Sequence, residues 1–132
     1  GEEINVNNFG DMRRDFTYID DIVEGIYRCC LKPATPDIKF DTLQPNPASS
    51  YAPYRTFNIG SNQSIDLIEF IGLIEKNLNK KAKINLCPLP KGDVIATSAD
   101  TSALYNWINF KPEINIEEGI EIFIKWFNSY YL

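Results

Sequence analysis

The sequence predicts an α/β fold with about four helices and a few short strands. Its 132 residues are 44% hydrophobic and 13% aromatic, which is enough apolar material for one compact core and one domain. Several segments carry apolar residues at the helical period, whereas the β-favouring runs are short and separate. Because isolated short strands do not make a stable sheet, we expect some of them to pair with polypeptide outside these residues.

The N-terminal part of the chain predicts a strand followed by a helix. Residues 4–6 form the strand, and a hairpin or loop follows at the turn-prone residues 7–10. Residues 16–19 favour β structure, and Asp20 is placed to cap the helix. This helix should end before Pro33, and its apolar face is formed by Ile22, Val23, Ile26, Tyr27 and Cys30.

Residues 32–55 predict a long Pro-rich loop. They hold five of the eight prolines and few periodic apolar positions. Loops of this length in a compact domain are uncommon and are usually either functional lids or disordered insertions. Both interpretations stay open.

The middle of the chain predicts a strand, a turn and an amphipathic helix. Residues 56–59 read as a buried strand, residues 60–62 as a turn, and Ser64 as the helix cap. Asn79 stands where a left-handed C-terminal residue is expected. The apolar face of this helix comprises Leu67, Ile68, Ile71, Ile74 and Leu78.

The C-terminal third predicts one more strand and two helices. Residues 83–86 form the strand, and Pro88, Pro90 and Gly92 then force a loop that carries Asp93. Asp100 can cap a short helix. The last helix has two glutamates near its positive end, and its apolar face is formed by Ile116, Ile120, Phe123, Ile124 and Phe127.

The composition excludes several classes of function. A formal net charge of −5, with no long basic cluster, argues against nucleic-acid binding. No stretch approaches the ~20 apolar residues that span a bilayer, and the N-terminus does not resemble a signal peptide, so we expect a cytoplasmic protein without a membrane partner. The chain contains no histidine, which excludes Ser-His-Asp catalysis and His-based metal sites. Three cysteines without a CxxC pair predict free thiols.

Two polar residues are candidates for binding a phosphorylated ligand. Arg14 follows a glycine-containing turn and could present its guanidinium to a phosphate, although a surface ion pair with Asp15 or Asp20 is the plainer interpretation. Asp93 could accept hydrogen bonds from ribose hydroxyls, although loop aspartates more often cap the next turn.

Two further patterns are less specific. The segment FNIGSN, residues 57–62, could place backbone amides near an anion, but a single glycine usually marks only a turn. The aromatic residues of the last helix could stack on sugars or bases, yet their helical spacing favours core packing; they are Trp126, Phe127, Tyr130 and Tyr131. The chain has no GxGxxG or GxxGxxG fingerprint, no GxxxxGK[ST] loop and no Tyr-x-x-x-Lys pair, and therefore no complete active site.

Several long motifs together resemble the C-terminal part of the extended short-chain dehydrogenase/reductase family, specifically UDP-glucuronate 4-epimerases and their close relatives. The motifs are GDMRRDFTYIDDIVEGIYRC at residues 10–29, APYRTFNIGSN at 52–62, GDVIATSADTSAL at 92–104 and EEGIEIFIKWFNSYY at 117–131. They cover nearly the whole chain in order. The resemblance implies a substrate-binding domain fragment at residues 1–132 of a Rossmann-type protein.

The resemblance also implies the chemistry of the complete enzyme. A tightly held NAD takes hydride from C4 of a UDP-hexuronic acid or related UDP-hexose and gives a 4-keto intermediate. The sugar ring then flips within the site, and hydride returns to the opposite face of C4. A Tyr of a Tyr-x-x-x-Lys pair exchanges the hydroxyl proton. That pair and the dinucleotide-binding domain would lie before Gly1, so the present chain alone is expected to be inactive and to bind no NAD.

Site roles follow from matching motif positions. Arg14 matches the arginine that contacts the UDP pyrophosphate in this family, and Asp93 matches the acidic residue that contacts the uridine ribose. The family usually has Arg or Gln three residues before that Asp, but this chain has Pro90, which has no side-chain donor. Lys91 is a possible substitute at a different spacing, and the departure leaves the identity of the sugar open.

Partners and alternatives follow from the same comparison. The resemblance implies that the strand at 57–59 and the Asp20 helix pack against the dinucleotide-binding domain, and we expect self-association to a homo-oligomer to cover apolar faces left bare. The alternatives are a non-catalytic nucleotide-sugar-binding or interaction module and a related decarboxylase or dehydratase.

Overall fold

The structure is a computed structural model that describes residues 1–131. Within these residues it contains four short strands, a single 3₁₀ turn and four α-helices, which confirms the predicted α/β class. The strands are β1 (Glu3–Val6), β2 (Arg13–Asp15), β3 (Ser64–Asp66) and β4 (Lys83–Leu86). The helices are α1 (Ile19–Leu31), α2 (Leu67–Leu78), α3 (Ser102–Ile108) and α4 (Ile116–Tyr131). None of these helices has the length and apolar character needed to cross a membrane.

The strands form two separate pairs. β1 and β4 are parallel, with Glu3 opposite Lys83 and Val6 opposite Leu86. β2 and β3 are antiparallel, with Arg13 opposite Asp66. The loop predicted after β1 is a 3₁₀ turn at Asn7–Gly10 rather than a hairpin, because β1 pairs with a strand far along the chain. Pairs this small cannot be stable alone, in line with the expectation from sequence.

Two predictions for the residues around the start of α1 are wrong. The β-favouring residues 16–18 lie outside any strand, and β2 instead covers the charged residues that precede them. Pairing with β3 overrides local β propensity there, and the Phe16 ring is free to stack on Phe70 with centroids 3.9 Å apart. The helix begins at Ile19, so Asp20 lies in its first turn and is not the cap.

Two predictions for the segment before α2 are also wrong. The prediction of a strand at residues 56–59 is wrong, since they form no regular element and have no ladder partner among residues 1–131. Ser64 belongs to β3 and does not cap α2, which begins at Leu67. The predicted C-terminal residue is confirmed, since Asn79 has a left-handed backbone with φ of 50°.

The last two helices agree with the sequence. Asp100 accepts a hydrogen bond from the Ser102 amide at 3.0 Å and so serves the first turn of α3, although Thr101 occupies the cap position itself. In α4 the predicted apolar face is partly buried, with Ile120 and Ile124 in the core. Residues 32–55 contain no helix or extended strand, as predicted, and the Asp37–Arg55 ion pair at 3.2 Å closes part of this loop.

The core is small and lies beside β1, β2, α3 and α4. Its buried apolar residues within the described part of the chain are Val6, Met12, Leu104, Phe110, Ile120 and Ile124. Two predicted apolar surfaces lie outside it. Val23, Ile26 and Tyr27 of α1 are more than half exposed, as are Tyr130 and Tyr131 of α4. The core-packing interpretation of the α4 aromatics is therefore wrong for Trp126, Tyr130 and Tyr131, which are at least half exposed within residues 1–131, whereas Phe127 is partly buried.

Candidate functional site

β2 is the element that assembles the candidate site. On one edge it pairs with β3, and on the other edge residues 95–97 run beside it, with the Arg13 amide donating to the Ile95 carbonyl and the Thr97 amide donating to the Arg13 carbonyl. Side chains alternate along a strand, so Arg14 points to the opposite side from Arg13 and Asp15. Each of these three residues holds a different segment of the chain.

Arg14 and Asp93, the two residues selected from the sequence, are in direct contact. The Nη2 atom of Arg14 lies 3.1 Å from Oδ1 of Asp93, although the residues are 79 positions apart. Both side chains are partly shielded from solvent, at 23% and 33% exposure. The plainer interpretation, an ion pair of Arg14 with Asp15 or Asp20, is not what the structure shows. The geometry puts one cation and one anion side by side at the edge of β2.

Arg14 also binds the backbone around Asp93. Its Nη2 atom donates to the Val94 carbonyl at 2.8 Å, and its Nη1 atom donates to the carbonyls of Ile95 at 3.0 Å and Arg13 at 2.8 Å. The guanidinium therefore fastens the loop after β4 to β2. This role is structural, and it fixes the orientation of the planar group whatever ligand it meets.

Lys91 lies in the turn that presents Asp93. The Asp93 amide donates to the Pro90 carbonyl at 3.2 Å, and Gly92 has φ of 86°, the positive value that the third position of a type II turn requires. The Lys91 side chain is exposed. The structure thus places Lys91 near the candidate pair but not in contact with it through any hydrogen bond among residues 1–131.

Asp15 organises the glycine turn at residues 60–62, and sequence reasoning missed it. Its carboxylate accepts hydrogen bonds from the amides of Ser61 (3.0 Å), Asn62 (3.2 Å) and Ala99 (2.9 Å) and from the Ser61 hydroxyl. Partial burial works to raise the pKa of Asp15, but these hydrogen bonds outweigh it and hold the pKa below its ordinary value. No local pattern could reveal this role, because its partners lie 46 to 84 residues away.

The same contacts decide the interpretation of FNIGSN. The backbone amides of this turn do meet an anion, but the anion is the carboxylate of Asp15. Gly60 is required here, since a Cβ atom added to it would lie 2.6 Å from the Ala99 Cβ and 3.1 Å from Asp15 Oδ2. The turn is therefore an internal joint of the site and not an open phosphate cradle.

The residues present do not fit a dinucleotide cofactor. A dinucleotide site needs a glycine-rich turn between a strand and a helix with free amides for the pyrophosphate. Within residues 1–131, the turn at Gly60 has its amides bound to Asp15, and the short step from β3 to α2 contains no glycine. No step of NAD chemistry can be derived from these residues.

Sequence comparison finds close relatives along nearly the whole chain. Protein CapI of Staphylococcus aureus is 46% identical over 130 residues, which are 98% of this chain and 39% of CapI. UDP-glucuronate 4-epimerase 1 of Arabidopsis thaliana is 38% identical over 122 residues, which are 92% of this chain and 27% of that protein. The chain is thus similar, over nearly its whole length, to one part of UDP-glucuronate 4-epimerases and related extended short-chain dehydrogenase/reductase enzymes. It spans about two fifths or less of the length of these curated relatives.

Solved structures share the fold of this chain. The UDP-glucuronic acid 4-epimerase of Bacillus cereus, in complex with NAD and a fluorinated UDP-glucuronic acid, matches 98% of this chain and 36% of its own chain with a TM-score of 0.75 at 22% identity. A dTDP-glucose 4,6-dehydratase of Bacillus anthracis matches with a TM-score of 0.73 at 17% identity. No family model matches the sequence. Similarity at this level of identity shows the fold of the matched part and not the substrate.

Proposed function

We propose that this chain is the C-terminal, UDP-sugar-binding part of an NAD-dependent epimerase that inverts C4 of a UDP-hexuronic acid or related UDP-hexose. The observation that carries the proposal is the contact between Arg14 and Asp93 at 3.1 Å. The sequence resemblance assigns these two residues to neighbouring parts of one ligand, and the fold brings them together from 79 positions apart.

The chemistry of the pair suits a nucleoside diphosphate. A guanidinium can bind a diphosphate bidentately with charge-assisted hydrogen bonds. A carboxylate accepts hydrogen bonds from vicinal ribose hydroxyls. Partial shielding from solvent strengthens both interactions relative to a fully exposed pair. Lys91, exposed in the adjoining turn, could add charge toward the diphosphate in place of the donor that Pro90 lacks.

The remaining chemistry belongs to the parent protein in this proposal. NAD, when bound by a dinucleotide-binding domain outside these residues, would accept the hydride from C4 of the sugar and return it. The exposed apolar face of α1 and residues 56–59, which have no ladder partner in the described chain, would pack against that domain. A protein of this composition would act in the cytoplasm.

The reaction is tested with the full-length protein and UDP-glucuronate. Epimerisation gives a product of unchanged mass that elutes differently from the substrate, whereas decarboxylation or dehydration lowers the mass. A product of lower mass would move the parent into one of those two reaction classes. Absence of turnover together with tight UDP binding would instead favour a non-catalytic binding module.

The binding role is tested by a matched pair of arginine variants in the full-length protein. Arg14→Ala should weaken UDP binding by about 1.5–3 kcal/mol, roughly 10- to 150-fold, because it removes hydrogen bonds to a charged group. Arg13→Ala is the control, since Arg13 binds Asp66 and the Ser64 carbonyl on the other side of β2. Equal UDP affinities for the wild type and Arg14→Ala, measured by calorimetry, would remove Arg14 from the site.

A further inference from the structure

The guanidinium of Arg14 is almost fully occupied before any ligand arrives. Nη1 and Nη2 carry four N–H groups, and the structure pairs them with four acceptors: the carbonyls of Arg13, Val94 and Ile95 and the carboxylate of Asp93. Of the five N–H donors of an arginine side chain, only Nε–H has no partner among residues 1–131. A diphosphate must therefore displace an existing acceptor to be bound by two donors.

Asp93 is the acceptor that can leave. The carbonyls of Arg13 and Ile95 are held by backbone hydrogen bonds between Arg13 and residues 95 and 97, and the Val94 carbonyl directly precedes this pairing. The Asp93 carboxylate belongs to a side chain with 33% exposure, and its Oδ1 atom also accepts a hydrogen bond from the Val94 amide at 2.8 Å. Rotation of the Asp93 side chain torsion angles gives up both contacts without moving the backbone. Displacement of Asp93 breaks an ion pair and leaves a carboxylate beside the incoming phosphates, and like charges at such distances repel.

We propose that Asp93 is a specificity-determining residue that disfavours bare diphosphates and admits nucleoside diphosphates. This inference rests on the proposed function. Inorganic pyrophosphate competes with Asp93 for Arg14 but has no hydroxyl groups that could donate hydrogen bonds to the displaced carboxylate. A nucleoside diphosphate also displaces Asp93, but its ribose hydroxyls donate hydrogen bonds to the carboxylate and offset the lost ion pair. Asp93 therefore weakens the binding of the diphosphate by competing for Arg14, and strengthens the binding of the ribose by accepting its hydrogen bonds.

The experiment measures UDP and inorganic pyrophosphate binding to the full-length protein by calorimetry. Asp93→Asn keeps the shape but removes the charge, so it should tighten pyrophosphate binding by about tenfold or more, as removal of a competing charged hydrogen bond predicts. Asp93→Ala also removes the ribose acceptor, so it should tighten pyrophosphate binding while weakening UDP binding. Both variants should lower the preference for UDP over pyrophosphate.

The control variant is Asp66→Asn. Asp66 makes the equivalent ion pair with Arg13, at 2.9 Å on the other side of β2, so this change removes the same charge without touching Arg14. It should leave both affinities unchanged. If it tightens pyrophosphate binding as much as Asp93→Asn does, net charge and not Asp93 sets the preference, and the inference is overturned.

The outcomes separate this inference from the proposed function. UDP binding that depends on Arg14, together with unchanged or weaker pyrophosphate binding in Asp93→Asn, overturns the selectivity role and leaves the proposed function standing. A wild-type protein that does not bind UDP overturns both. Because Asp93→Asn preserves side-chain volume, it also serves as the decisive variant if Asp93→Ala does not fold.

Discussion

Gly60 and Ala99 approach so closely that the turn at residues 60–62 and the segment before α3 pack backbone against side chain. A Cβ atom added to Gly60 would lie 2.6 Å from the Ala99 Cβ, a distance that neither residue can relieve by rotating a side chain. The Asp15 carboxylate joins the same two segments, because it accepts hydrogen bonds from the amides of Ser61 and Ala99. This joint connects three segments that are distant in sequence, and it stands directly beside the candidate site.

Substitution of Gly60 by Ala should therefore destabilise the protein. Overpacking of a tight contact typically costs about 1–3 kcal/mol in the free energy of unfolding. The matched control is Gly72→Ala in α2, where an added Cβ meets no atom within 4 Å. That change should stabilise the protein by about 0.4–1 kcal/mol. Urea denaturation of both variants measures the two effects, and an unchanged or higher stability of Gly60→Ala would contradict the close contact between Gly60 and Ala99.

Asp15→Asn should reveal a pH-dependent contribution to stability. Hydrogen bonds lower the pKa of Asp15 in the folded protein, so its stabilising effect is present above the unfolded pKa and is lost as pH falls through the folded value. We expect the variant to be less stable than the wild type by about 1.5–3 kcal/mol at neutral pH, the value for hydrogen bonds to a charged group.

The difference between the two proteins should shrink as the pH falls below the ordinary aspartate value of 3.8. Denaturant titrations at several pH values provide the measurement. Asp11→Asn is the control, because Asp11 is exposed four positions earlier. A constant difference down to the lowest pH at which the protein folds would show that the charge on Asp15 contributes nothing.

Asp21 should matter more for stability than its neighbour Asp20. Asp21 is only 6% exposed, and its Oδ2 atom accepts hydrogen bonds from the amides of Glu113 (3.2 Å) and Ile114 (3.0 Å), which tie α1 to the segment before α4. Asp21→Ala leaves these amides without that partner and should cost about 1–3 kcal/mol. Asp20→Ala removes only an exposed charge in the first helical turn, for which about 0.3–1 kcal/mol is expected. Thermal unfolding of both variants measures the two losses of stability. A larger loss for Asp20→Ala than for Asp21→Ala would contradict the structural role of Asp21.

The exposed face of α1 gives a test of the proposed domain packing. Ile26 is 56% exposed in this chain. If a dinucleotide-binding domain covers it in the full-length protein, Ile26→Ala should cost about 2–5 kcal/mol there, as for a buried isoleucine. Ile38, which is 95% exposed in the Pro-rich loop, provides the control, and Ile38→Ala should change stability by less than about 0.5 kcal/mol. Similar small effects for both variants would mean that the α1 face stays uncovered.

The sequence determined the features that depend on near neighbours. Apolar periodicity placed α1, α2 and α4, and the run at residues 83–86 placed β4. Asn79 was placed in its left-handed position because a helix end is set by residues within one turn. Long motifs in order also indicated the family resemblance and selected Arg14 and Asp93 as candidate site residues, whose contact the structure then showed.

Tertiary structure alone decided the features that join distant segments. β2 lies on three charged residues because β3 and residues 95–97 supply its hydrogen-bond partners, and residues 56–59 remain outside a sheet because the described chain offers them none. Asp15 reaches its turn, and Arg14 reaches Asp93, across separations of 46 to 84 residues. Local propensity contains no information on such pairings, because their free energy arises only when the fold closes the intervening chain.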